Sequence, residues 1–303
     1  MDDFIMSPKI DFAFKELMRN DYVRKGFLSA VLNIKDTLIK STVLLNTNLP
    51  KIHEDEKQGI LDVRLTMNDD TEINIEIHLA YMRTWADRST FYVSKLLVEQ
   101  VDINKNYSNI KKCINISLLD FNYIKETERF HTVYHLREDT ENIKYTDILE
   151  IHVVELPKLP QKDDGTDLYD WVRFIKAENK GEFEMLAKQN TYLSKAYQTL
   201  EEISADRQKR LEYDARQKAL YDYNTMMIES RERGWIEGRA EGRAEGRAEG
   251  RAEGRAEERK QNIKNTILLL KQLGNSSDTV VKGLITQFSL DEDEAKKSVE
   301  LYW

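Results

Sequence analysis

Asp62, Glu76 and His78 are residues whose types and spacing could do chemistry together. They fall in residues 59–79, GILDVRLTMNDDTEINIEIHL, where two runs alternate apolar and polar side chains. That alternation is the period of a half-buried strand. Leu61, Val63, Leu65 and Met67 share one face of the first run, and Asp62, Arg64 and Thr66 share the other. Ile73, Ile75, Ile77 and Leu79 share a face of the second, with Asn74, Glu76 and His78 opposite. Asn68-Asp69-Asp70-Thr71 between them is turn chemistry. A loop at 68–70 sets Asp62 opposite Glu76, and a loop at 69–71 sets it opposite His78. In both registers Asp62 and Glu76 are direct or diagonal neighbours, roughly 5–8 Å apart at Cβ. Two carboxylates that close repel and shift each other's pKa unless a cation lies between them. A hard divalent ion resolves the conflict, and Mg²⁺ takes one or two protein carboxylates plus phosphate and water. His78 then stands two residues along on the same face. The same pattern also fits the plain solvated face of a hairpin, and spacing alone leaves both readings open.

Composition narrows the classes. A chain of 303 residues with 40% hydrophobic and 33% charged residues can form one good core plus an appendage, or two small domains. No apolar run approaches the ~20 residues of a membrane span. The opening MDDFIMSPKID carries no signal-peptide pattern, so a cytoplasmic location is expected. The single cysteine, Cys113, sits in an apolar strand-like run and reads as a small core residue. A net charge of −8 argues against a nonspecific nucleic-acid coat, though not against a locally basic groove.

Several stretches together resemble one family. Asp62, a turn, then Glu76-Ile77-His78 resembles the PD-(D/E)XK nuclease superfamily, in which an acidic residue is followed on the next strand by Glu-X-Lys or Glu-X-Gln. Residues 8–15 (PKIDFAFK), 27–33 (FLSAVLN), 43–48 (VLLNTN), 56–63 (EKQGILDV) and 88–95 (RSTFYVSK) resemble the recombination-promoting nuclease (Rpn) branch, the PD-(D/E)XK nuclease family transposases. The resemblance covers roughly residues 6–160. It departs at His78, where the family usually has Gln and the superfamily Lys. It implies an α/β restriction-endonuclease-like core, a central mixed sheet flanked by helices, followed by an all-helical C-terminal extension. It also implies that Asp62, Glu76 and the Ile77 carbonyl hold Mg²⁺ or Mn²⁺, that His78 orients or deprotonates the attacking water, and that Asp11 supports the site. Glu16 is a weaker support.

The rest of the chain must position these groups. Residues 8–34 read as helical with a break at Asn20-Asp21, and 41–47 as a strand. Asp11 and Lys15 stand i, i+4 and also fit a surface pair. Lys57, in a charged connection, is a phosphate-binding candidate beside an exposed-loop alternative. Residues 88–108 read as a helix in which Arg88, Tyr92, Lys95 and Glu99 share a stripe. Arg88 and Lys95 are candidates for the scissile phosphate; a Lys95–Glu99 ladder is the plainer reading. Residues 113–121, 130–136 and 148–156 read as strands. Their His131, His135 and His152 have no zinc spacing and read as polar-face or edge residues.

Residues 161–233 read as a helical extension, with Leu211, Ala215, Ala219, Tyr223 and Met226 as the seam of its long helix. Residues 234–260 contain five copies of Gly-Arg-Ala-Glu. Each Gly costs a helix about 1 kcal/mol relative to Ala. Arg and Glu never stand three or four apart, so the i, i+4 charge pairs are like with like. Arg and Glu lie on opposite sides with small residues between, which predicts inter-chain pairing and a homodimer or larger assembly. Residues 261–303 read as a small helical module, with Gly274 ending its first helix and Ser277 or Asp278, then Asp291, as N-caps. Taken together, the expectation is a Mg²⁺-dependent DNA endonuclease of low sequence specificity. The alternative is a nuclease fold impaired at His78 that binds DNA or assembles through its tail.

Overall fold

The computed structural model describes residues 4–48, 61–101 and 106–303. Lys57 and its connection lie outside them. Among the described residues the strands form one mixed sheet, β1 (Thr42–Leu44), β2 (Val63–Met67), β3 (Glu72–His78), β4 (Cys113–Leu119), β5 (His131–His135) and β6 (Leu149–Glu155), in the order β1-β2-β3-β4-β6-β5. β3, β4 and β6 run parallel; β1, β2 and β5 pair antiparallel to their neighbours. The central hairpin takes the 68–70 loop: Val63 faces Ile75, and the Met67 N–H donates to the Thr71 carbonyl at 3.0 Å. Asp70 closes it with φ 64°, a left-handed conformation that Asp tolerates. Extended by one residue past the Val63–Ile75 pair, that register sets Asp62 opposite Glu76.

One face of the sheet (Val63, Leu65, Ile73, Ile75, Ile114, Ile116, Val154) packs into the main core with α1 (Asp11–Arg19), α2 (Asp21–Leu32), α4 (Asp167–Lys176), α5 (Lys180–Ala187) and α6 (Thr191–Ala205). The expected break between the first two helices is a cap: the Asn20 side chain accepts from the Tyr22 and Val23 N–H groups. Trp171, Phe174 and Ile175 of α4 are buried in this core. The opposite face carries Asp62, Asn74, Glu76, His78, Asn115 and Ser117, and α3 (Trp85–Glu99) lies on it through Tyr92, Val93 and Leu96. This helix begins a turn earlier than residue 88, because Trp85 is buried against Leu119 and Val153. It stops at Glu99, because Gln100 turns to bond the Cys113 Sγ at 3.1 Å and the Lys111 N–H at 2.7 Å. Cys113 is a buried core residue, and burial pushes its thiol up to about 12.

The chain divides into two compact units, 1–224 and 225–303, with the division inside α7 (Arg207–Gln272). The repeat is helical throughout and continuous with the helix on either side of it. The first part of α7 meets the first unit through Tyr213 and Leu220, whereas Leu211, Ala215 and Met226 of the expected seam are exposed. The reason is tertiary: residues 4–7 fold over Tyr213, whose hydroxyl accepts the Ser7 N–H at 3.1 Å. In the second unit, Ile263, Ile267, Val280, Leu284, Ala295 and Val299 form a small core with α8 (Ser277–Phe288) and α9 (Glu292–Tyr302). Gly274 ends α7 at φ +80°. The N-cap of α8 is Ser276, one residue before the expected position, and Asp291 caps α9. Among the described residues no helix is long and apolar enough to cross a membrane.

Candidate functional site

β2 begins at Val63, so Asp62 stands where the hairpin opens. Its Oδ2 accepts the Ile77 N–H at 3.3 Å. The N–H and C=O of one strand residue face the same neighbour, so the Ile77 carbonyl is turned to the Asp62 side too. Glu76, opposite, is 2% exposed, and its Oε2 lies 3.1 Å from His78 Nε2. The i, i+2 spacing on one strand face makes this contact local.

Asp62, Asp11, Ile77, His78 and Arg88 line one cleft of about 390 Å³. Glu76 lies beneath His78 instead of on the wall. Lys95, further along α3, does not line this cleft; its ammonium is 5.8 Å from the Phe91 ring centre. Glu99 accepts Arg64 at 2.7 Å and so bridges α3 to β2. Arg88 covers the Tyr92 ring at 4.8 Å. Burial raises the Tyr92 phenol; the Arg88 charge opposes this, and the Glu76 and Asp62 charges add to it. Glu16 stands apart: it is buried and pairs with Arg19 and Lys209, each at 2.5 Å, so it ties α1 to α7.

Lys15 is the residue that the sequence reading passed over. Its Nζ lies 2.9 Å from Asp62 Oδ1 and 3.4 Å from Asp11 Oδ2. The expected surface pair is therefore a three-membered cluster with an ammonium lodged on the strand carboxylate. The signal was present in residues 8–15, where Asp11 and Lys15 share a helix face; nothing local said which way that face points. Arg216 and Tyr223 of α7 also line the cleft.

A second polar cluster lies on the other face, at the β5–β6 edge. His135, Asp147 and Glu150 bring their donor atoms within 4.8 Å of one another. Lys112 Nζ is 2.5 Å from Glu150, and Lys144 Nζ is 2.7 Å from Asp147. Glu150 also meets His152 at 2.5 Å, and His152 Nδ1 meets His131 Nε2 at 2.9 Å. Burial raises the Glu150 carboxyl, but the bonds and charges of His152 and Lys112 outweigh it and hold it well below the usual range. Burial, then the His152 charge, pushes His131 down to about 4 against the pull of Glu150. The histidines read as edge residues are thus a linked network.

A mixed sheet flanked by helices, whose β2–β3 hairpin puts Asp62 on a cleft beside α1 and buries Glu76 on the next strand, is a PD-(D/E)XK-like α/β core. The chain belongs to the PD-(D/E)XK nuclease family transposases, whose family model matches residues 8–230. Neither a curated protein nor a solved structure matches the chain. The family makes a nuclease- or transposase-like function the frame for this cleft. Nucleases of this class typically use divalent metals, and the donor types suit a hard cation: Asp62 and Glu76 could offer carboxylate oxygens and Ile77 a carbonyl. A cation, the Lys15 ammonium, is already drawn to the same carboxylate.

Proposed function

We propose that the protein is a metal-dependent DNA endonuclease that hydrolyses phosphodiester bonds with little sequence preference, as part of recombination of mobile or host DNA. The observation that carries the reading is Asp62 on the cleft wall with Lys15 on it, and Glu76 buried on the adjacent strand behind His78, which lines the same cleft. Asp62, Glu76 and the Ile77 carbonyl would hold Mg²⁺ or Mn²⁺. When bound, such an ion polarises a phosphoryl oxygen and makes water a better nucleophile near neutral pH.

The chain's own residues do the rest. His78 in the tautomer with its proton on Nε2 donates to Glu76, which leaves Nδ1 as an acceptor for a proton from the attacking water. Lys15 neutralises Asp62, and it would stabilise negative charge gathering on a phosphate held there. Arg88 adds a second positive charge on the cleft wall. Asp11 keeps Lys15 oriented toward the cleft. Lys57 and Lys95 remain candidates for neighbouring phosphates. A cytoplasmic location and self-association through the repeat helix complete the proposal.

Plasmid cleavage with Mg²⁺ or Mn²⁺ tests it on the native chain and on Asp62→Ala, Glu76→Ala and His78→Gln. Cleavage by the native chain that disappears in both carboxylate variants is the expected result. One observation favours a second reading: His78 is engaged with Glu76 at a position where the family has Gln. In that reading the fold is an impaired nuclease that binds DNA or assembles through its helical tail. Inert native protein with active His78→Gln selects it. Sedimentation of the full chain with and without residues 234–260 measures the self-association.

A further inference from the structure

We propose that the cleft over Asp62 takes a single strand of DNA, with bases stacked on Tyr81 and Tyr223 and the backbone neutralised by Arg216. The proposal rests on the nucleic-acid reading above, but its test is binding and does not require cleavage. The two walls carry the argument. One is the link after β3, with Tyr81; the other is α7, with Arg216, Leu220 and Tyr223.

The α7 wall is anchored. Tyr213 is 2% exposed and bonded to Ser7, Lys209 holds Glu16 at 2.5 Å, and Leu220 packs against the main core. A helix fixed beside Asp62 leaves about 390 Å³, the volume that surrounds one small ligand. One nucleotide fits such a space.

The lining chemistry points the same way. Tyr81 is 57% exposed and Tyr223 48%, large amounts for aromatics that line a cleft. Tyr81 is steadied by an edge-to-face contact with Phe121 at 5.4 Å, which orients the ring. Exposed aromatics and an arginine lining one cleft are the elements of single-strand binding, because every base has a face to stack. Duplex binding draws instead on many phosphate contacts and counterion release. A chain of net charge −8 is poorly supplied for that. Stacking is the source of affinity that an acidic protein can concentrate in one cleft.

Fluorescence anisotropy of the full chain in EDTA, where no strand is cut, compares a labelled oligothymidylate with a duplex of equal length. The single strand should bind at least about tenfold tighter. Tyr223→Ala and Tyr81→Ala should each weaken it about 5- to 100-fold, and Tyr81→Phe should restore it. Tyr223 is on an exposed helix face, so its loss leaves the fold intact. Arg216→Ala should flatten the slope of log affinity against log salt by about 0.7. Duplex binding as tight as single-strand binding overturns the proposal. So does affinity indifferent to both tyrosines, or binding to neither form. Failure of the nuclease reading looks different: no DNA is cut with Mg²⁺, whatever binds in EDTA.

Discussion

The tripeptide Glu-Ile-His occurs twice in this sheet, at 76–78 on β3 and at 150–152 on β6. The local geometry is similar: His78 Nε2 lies 3.1 Å from Glu76, and His152 Nε2 lies 2.5 Å from Glu150. The neighbours differ. Glu150 meets Lys112, His135 and His152, all donors, on a face where its charge is answered. Glu76 lies across from a second carboxylate, Asp62, and Lys15 reaches Asp62 from α1. The same three residues sit among lysine and histidine partners in one place and face a second carboxylate in the other. A motif becomes a site through what its register and its packing put opposite it.

The largest expected effect breaks this comparison if it fails. Asp62→Asn or Glu76→Gln should lower Mg²⁺-dependent plasmid nicking by about 10³-fold or more. Glu150→Gln, the same change in the same tripeptide, should leave the rate of the folded protein within about twofold. Equal loss in both would mean that the β6 network belongs to the chemistry.

Stability should invert the order. Glu150→Gln leaves Lys112 and His152 without their carboxylate and should cost about 2–4 kcal/mol in urea unfolding. Glu76→Gln removes a charge that faces Asp62 and should change stability by less than about 1 kcal/mol.

The two lysines sharpen the contrast. Lys15→Met should slow cleavage about 10²-fold and yet lower the Mg²⁺ concentration needed for half the maximal rate, because a competing cation is gone from Asp62. A metal titration of nicking rate reads both quantities. Lys112→Met should leave both unchanged and act on unfolding alone.

The two tripeptides also mark how far sequence reaches. The β2–β3 hairpin was legible because its alternation has period two and its turn residues admit only a few loops; the pairing register was narrowed to two. Asn20 and Gly274 were legible because capping and termination are local. Lys15 was not, because its contact with Asp62 depends on where α1 lies against the strand. The docking face of α7 was missed because two stripes of that helix carry apolar residues, and residues 4–7 select Tyr213. His152 looked like edge polarity because the network it joins through Glu150 draws Lys112 from the approach to a different strand.

The smallest effect is a titration. Burial, with the His152 charge behind it, holds His131 at about 4 in the folded chain, against an ordinary value of 6.5. Between those values the unfolded chain binds the proton and the folded chain does not, so stability rises with pH. The contribution is complete above pH 6.5 and is lost as pH falls toward 4. From pH 7 to 5.5 this group alone should lower unfolding free energy by about 1 kcal/mol. His131→Gln should flatten that slope, since the replacement has no proton to take up. Urea unfolding at the two pH values, for the native chain and His131→Gln, reads this contribution from the fold's own stability and without reference to cleavage.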